Sequence, residues 1–95
     1  MIERHVTFEV IPGKESAFEE LFKEKYSKAM ARQPGFVSVG LLRETGKPAN
    51  YQMLIRFESL ETAAAWRDSA AHQELQPEAK ALYTNAGVVV YDVIA

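Results

Sequence analysis

Three side chains that could bind or turn over a small molecule follow one another at intervals of three residues: Trp66, Ser69 and His72. A tryptophan offers a large apolar wall and one N–H donor, which suits a planar aromatic ligand. A histidine can carry a proton near neutral pH or bind a haem iron through a ring nitrogen. Both also have ordinary structural roles, as a core anchor and in local hydrogen bonds. We treat Trp66 and His72 as candidate catalytic residues and Ser69 as a candidate substrate-binding residue.

The spacing of these residues predicts how they share a site. On a continuous helix over residues 59–72, each step of three residues turns by about −60°. Trp66 and His72 would then lie about 120° apart and edge one cavity without touching each other. Phe22 and Tyr83, on the apolar stripes of the two predicted helices, are candidate further walls and therefore candidate substrate-binding residues.

Other kinds of site are excluded by residues that the chain lacks. It has no cysteine, which excludes disulfides, zinc–thiolate sites, iron–sulfur clusters and thiol catalysis. No metal-ligand spacing joins its two histidines, His5 and His72, so we expect no metal site. The segment from Gly40 to Pro48 resembles a phosphate loop, but its glycines are one residue too far apart and Pro48 stands where Ser or Thr is required.

Size and charge bound the class of protein. The chain has 95 residues, a formal net charge of −2, 47% hydrophobic and 25% charged residues, which predicts one globular domain over residues 1–95. The slightly acidic balance gives no attraction to phosphate backbones, and no run approaches the ~18 apolar residues of a membrane span. We expect neither a nucleic-acid nor a membrane partner. The absence of cysteine suits a reducing compartment, so we expect a cytoplasmic protein.

Hydrophobic periodicity predicts the order strand, helix, strand, strand, helix, strand. The strands are predicted at residues 2–11, 36–44, 51–58 and 88–94, and the first helix at residues 14–33. The second helix begins after Ser59, a favourable N-cap, and its apolar stripe continues to Tyr83. Pro77 is predicted to interrupt this helix or to begin a new one. Asn85-Ala86-Gly87 is predicted to break the pattern before the last strand.

This order of elements predicts a ferredoxin-like α+β fold. With right-handed crossovers, the third strand fills the gap beside the first, giving a four-stranded antiparallel sheet with both helices on one face. Both sides of the strands carry apolar residues; in the last strand Val88 and Val90 alternate with Val89 and Tyr91. A sheet face open to water should be polar, so we expect a homodimer through the face away from the helices.

Four short motifs together resemble the antibiotic biosynthesis monooxygenase (ABM) domain family. They are Pro12-Gly13-Lys14, Pro34-Gly35-Phe36, the Phe57-Glu58-Ser59 end of the third strand, and the spaced Trp66, Ser69 and His72. The resemblance covers nearly the whole chain. It implies a homodimer whose two sheets face each other as a dimeric α+β barrel, with a pocket between the helices and the sheet of each subunit. Its best-understood members oxidise polycyclic aromatics with molecular oxygen and without flavin, metal or nicotinamide.

Some members of the family degrade haem, and similar domains isomerise or bind small metabolites; the chain departs from these patterns at specific positions. Haem-degrading members have an asparagine on the first strand, about where Val6 or Thr7 stands here, and their haem-ligating histidine lies further beyond the tryptophan than His72. Polyketide-oxidising members pair the tryptophan with an asparagine one helical turn earlier, where this chain has Thr62. Trp66 therefore matches the family, while neither of these asparagines is present.

The leading functional hypothesis is a monooxygenase that needs no cofactor and acts on a small, electron-rich phenolic or quinol-like compound. Trp66 would orient the ring, His72 would accept a proton, and the cavity would shield the resulting carbanion from water. A second hypothesis is an isomerase or a binding domain for a small metabolite, which would consume no oxygen. Two further hypotheses are haem degradation and a structural dimer without pocket chemistry.

Overall fold

A computed structural model describes residues 1–95 and contains one antiparallel sheet of four strands. The strands are β1 (Ile2–Val10), β2 (Phe36–Arg43), β3 (Asn50–Phe57) and β4 (Tyr83–Asp92). Their order across the sheet is β2-β3-β1-β4, and every neighbouring pair is antiparallel. Because β3 fills the gap beside β1, the predicted ferredoxin-like α+β fold is confirmed.

Each of the two predicted helices is divided in the structure. The first consists of α1 (Glu15–Leu21), a π-helical turn (Phe22–Tyr26) and α2 (Ser27–Ala31), and the second consists of α3 (Leu60–Asp68) and α4 (Ala70–Lys80). The wider turn is visible in its hydrogen bonding, since the N–H of Ser27 donates to the carbonyl of Phe22, five residues back. None of these helices has the length and apolar character needed to cross a membrane.

The break in the second helix falls at Ser69 and not at Pro77. Ser69 has an extended backbone (φ −67°, ψ 152°), so it ends α3 and caps α4, while Pro77 lies inside α4. The prediction of one continuous helix over residues 59–72 is therefore wrong. As a consequence, His72 lies in the first turn of α4 and not in the last turn of a helix.

The last strand begins at Tyr83, well before its predicted start at residue 88. Tyr83 pairs with Val10 of β1, and Asn85-Ala86-Gly87 continues the same ladder. The predicted extension of the helical stripe to Tyr83 is wrong, and so is the predicted break at residues 85–87. Local propensity fails here because pairing with a neighbouring strand outweighs it.

The face of β3 that points to the helices forms the centre of the core. Tyr51, Met53, Ile55 and Phe57 share this face and are all buried, as their alternation predicts. Since β3 has a neighbour on both sides, its buried face lies in the middle of the layer. The helices cover it with a set of large apolar side chains: Phe18, Leu21, Phe22, Tyr26, Met30 and Trp66.

The start of α3 is fixed by a capping box and by a close approach of the backbone. The N–H of Thr62 donates to Oγ of Ser59 at 3.2 Å, and the N–H of Ser59 donates to Oγ1 of Thr62 at 3.1 Å, which confirms the predicted N-cap. Gly35 has φ +79°, and a Cβ there would lie 2.5 Å from Cγ2 of Thr62. Glycine is therefore required where the turn before β2 meets α3.

Candidate active site

An apolar cavity of about 280 Å³ lies between the helices and the sheet. Most of its walls are hydrophobic side chains from the sheet and from both helical stretches, including Val6, Phe8, Phe22, Met53, Trp66 and Tyr83. A few polar groups join them: Arg4, Arg67, His72 and Gln76. An apolar cleft with a small number of convergent polar groups is the usual form of a small-molecule site.

Three aromatic rings meet in one wall of this cavity. The rings of Trp66 and His72 pack edge to face with centroids 5.1 Å apart, and Tyr26 lies 6.2 Å from His72 and 6.4 Å from Trp66. Trp66 and His72 share the cavity, but the prediction that they would not touch each other is wrong. The chain bends at Ser69, and this bend turns His72 towards Trp66.

Ser69 makes this bend but does not line the cavity. Its hydroxyl donates to the carbonyl oxygen of Trp66 at 2.7 Å and accepts a hydrogen bond from the N–H of His72 at 3.2 Å. The hydroxyl thus both donates to and accepts from backbone groups. In the structure Ser69 positions Trp66 and His72 relative to each other.

The π-helical turn supplies two cavity walls. Phe22 and Tyr26 stand at its two ends, and both are buried and face the cavity. Burial, together with the nearby Tyr83 and Glu78, raises the pKa of Tyr26 to about 12. Its hydroxyl therefore stays protonated at neutral pH and can donate a hydrogen bond to a ligand oxygen.

His72 has the properties of a general base. Its Nδ1 is buried and has no hydrogen-bond partner, which is unusual because buried polar atoms are almost always paired. Burial lowers the pKa of His72 below 6.5, and the positive charges of Arg4 and Arg67 lower this pKa further, while Asp68 and the backbone of Arg67 oppose the shift more weakly. At neutral pH the imidazole is therefore uncharged, and this is the form that accepts a proton.

The cavity opens to the surface beside α4. Arg67, His72 and Gln76 line both the cavity and a shallow depression on the outside, so they form its mouth. Val88 of β4 also lines the cavity and is 50% exposed. A ligand can thus enter between α4 and β4, passing His72 before it reaches Trp66.

Sequence reasoning found Trp66, His72, Phe22 and Tyr83, all of which line the cavity, and it missed Arg4. A signal for Arg4 was present in the sequence. Arg4 lies on the same side of β1 as the apolar residues Ile2, Val6, Phe8 and Val10. A charged side chain therefore interrupts the apolar row that faces the helices. Tyr26 had a signal as well, since it lies four residues after Phe22 on the same predicted apolar face of the first helix, but it was not singled out.

The lowered pKa of His72 has a consequence for stability that can be measured. Between its folded pKa and 6.5 the unfolded chain binds more protons than the native protein, so the free energy of unfolding falls as the pH drops through this window. We expect urea unfolding at about pH 7.5 and pH 5 to show a smaller loss for His72→Gln than for the wild-type chain. Equal losses in both proteins would show that the ring is not buried in solution.

Comparison with known proteins agrees with this fold. Residues 1–78 match the model of the family described as antibiotic biosynthesis monooxygenase, and the chain belongs to this family. Among curated proteins, none matches the chain in sequence.

Solved structures share the whole architecture at low sequence identity. A protein from Nitrosomonas europaea, described as an antibiotic biosynthesis monooxygenase, has a TM-score of 0.88 at 19% identity, with both chains covered in full. SnoaB, a cofactor-independent oxygenase from Streptomyces nogalater, has a TM-score of 0.89 at 23% identity, over 99% of this chain and 93% of its own. A conserved protein from Methanosarcina mazei has a TM-score of 0.85 at 19% identity, over 95% of this chain and 89% of its own. At these identities the likeness establishes the fold.

Proposed function

We propose that this chain is a monooxygenase that needs no cofactor and oxidises a small phenolic or quinol-like compound in the cavity beside Trp66. The observation that carries the proposal is the buried, unpartnered Nδ1 of His72 in an apolar cavity whose wall is made by Trp66 and Tyr26. Such a wall suits a flat ring, and such a nitrogen suits a proton from it. Membership of the family supports oxygen as the second substrate.

The proposed reaction balances without an external reductant. Neutral His72 accepts the phenolic proton, and the resulting anion delocalises its charge onto a ring carbon that reacts with oxygen. One oxygen atom becomes the new carbonyl and the other leaves as water, so the substrate loses two hydrogens and supplies all four electrons. The apolar walls exclude bulk water from the carbanion while it reacts.

The size of the cavity bounds the substrate. A cavity of ~150 Å³ is large enough for benzene. At about 280 Å³, this one has room for roughly one or two fused rings. We therefore propose a substrate smaller than a polycyclic aromatic of four rings.

Oxygen uptake with 1-naphthol and a hydroquinone tests the proposal, and anthrone, which has three fused rings, tests the size limit. With ¹⁸O₂, we expect one labelled atom in the product carbonyl and the other in water. Ligand-dependent quenching of Trp66 without any oxygen uptake would instead favour an isomerase or a binding domain. A sharp Soret band on addition of hemin would favour haem chemistry.

We further propose that the protein acts in the cytoplasm as a homodimer, formed through the sheet face away from the helices. Leu42, Val89 and Tyr91 lie on this face and are each about half exposed. A second copy would remove them from water, and two such faces would bury more than the ~1,200 Å² of a stable interface. We expect light scattering to give twice the 10.7 kDa of one chain at micromolar concentration. A stable monomer there would overturn the dimer.

A further inference from the structure

We propose that the cavity selects aromatic compounds that carry a carboxylate, and that Arg4 binds this group. This inference rests on the proposed function only for the location of the ring beside Trp66. It adds a substrate class and assigns a specificity-determining residue on β1.

Arg4 reaches the cavity from the floor of the site. It lies on the helix-facing side of β1, between Ile2 and Val6 in the row, and is paired across the sheet with Ile55 and Val90. Its side chain lines the cavity together with His72 and is only partly exposed. Its neighbours in this row and its partners across the ladder are apolar, and Asp92, the carboxylate on the same face of β4, makes no ion pair with it.

No carboxylate elsewhere in the chain compensates the charge of Arg4. None of the ion pairs of the structure includes it. Its neighbour Glu3 lies on the opposite face of the sheet, where it binds His5 and Arg56. The titratable groups that interact with Arg4 from the helices are Arg67, which is also positive, and His72, which is uncharged at neutral pH. A partly buried cation without a partner is costly, and an anionic ligand would remove that cost.

Arg67 differs from Arg4 in its exposure and in having a carboxylate nearby. It lies at the mouth, its side chain is mostly exposed, and its Nε is 3.5 Å from a carboxylate oxygen of Asp68. Arg67 can draw an anion towards the opening, but Asp68 partly compensates its charge there. The uncompensated charge lies deeper, at Arg4.

The shape of the guanidinium suits a carboxylate on a small aromatic compound. Its planar array of N–H donors matches the two oxygens of a carboxylate in a bidentate pair. A neutral ring compound would leave these donors unpaired on binding. A site that holds an unpaired polar group inside discriminates strongly against a ligand that cannot bond to it.

Quenching of the fluorescence of Trp66, the chain's single tryptophan, gives a direct test with 2-naphthoate and 2-naphthamide. The two probes have the same ring system and differ in charge. We expect the wild-type chain to bind the naphthoate at least about tenfold more tightly than the amide. Arg4→Met should abolish this preference by weakening naphthoate binding at least about tenfold. Arg32→Met, which removes an exposed arginine outside the cavity, should change neither affinity.

Two results would overturn the inference: equal affinity of the wild-type chain for both probes, or a preference for naphthoate that survives Arg4→Met. If Arg4→Met does not fold, the wild-type comparison and Arg4→Lys decide, since lysine keeps the charge without the planar fork and should bind naphthoate with intermediate affinity. The test of carboxylate preference is separable from the test of the proposed oxygenase activity. Preference for naphthoate without oxygen uptake by any aromatic would overturn only the oxygenase, and uptake by neutral quinols without that preference would overturn only the inference.

Discussion

His72→Ala is expected to lower the rate of oxygen uptake by a factor of about 10²–10⁴ while the protein stays folded. The loss follows from the role of the ring as the base, since removing a positioned general base typically has this effect. Stability should change little, because the substitution gives up packing against Trp66 but also removes a buried nitrogen that has no partner. Steady-state oxygen consumption and thermal unfolding of the same samples measure the two effects separately.

Gln73→Ala is a matched control for this substitution. Gln73 is the next residue of α4, is exposed and does not line the cavity, so its removal should leave the rate unchanged. If His72→Ala unfolds the chain, or if its turnover equals that of the control, His72 is a structural residue and the base must be sought elsewhere.

Phe57→Ala is expected to lower the free energy of unfolding by ~3–5 kcal/mol. Phe57 is 0% exposed, its ring packs edge to face against Phe36 at 5.9 Å, and it does not line the cavity. Truncation therefore leaves an empty space in the core. Since small domains have ~5–15 kcal/mol of stability in total, the variant should lie close to the limit of folding. Urea titration at a fixed protein concentration gives the value.

Leu60→Ala serves as the comparison for this measurement. Leu60 is 58% exposed at the first position of α3, so its truncation should change the free energy of unfolding by about 0.5 kcal/mol or less. A loss below about 1 kcal/mol at Phe57 would contradict the burial of the central strand.

The sheet was predictable because its signal is local. Along β3, the buried residues Tyr51, Met53, Ile55 and Phe57 alternate with Gln52, Leu54 and Arg56, and a central strand buried on one face has this pattern. The order of strands followed from connection rules that hold for almost all chains.

The geometry of the site was less predictable because it depends on departures from regular helix. Helical spacing placed Trp66 and His72 in one cavity correctly, but the bend at Ser69 brought their rings into contact. A serine is a weak helix former and a good cap, and the sequence does not say which property prevails. Periodicity placed Tyr26 on the apolar face of the first helix, but it did not reveal the π-helical turn between Phe22 and Tyr26.

The close approach of Gly35 to Thr62 has a consequence for protein engineering. A side chain at residue 35 would collide with Thr62, and a different side chain at residue 62 would give up the capping box that starts α3. The two positions therefore cannot be varied independently, although they are far apart in the sequence. A mutant library that reshapes the cavity through α3 should keep both residues fixed and vary the residues around the mouth of the cavity.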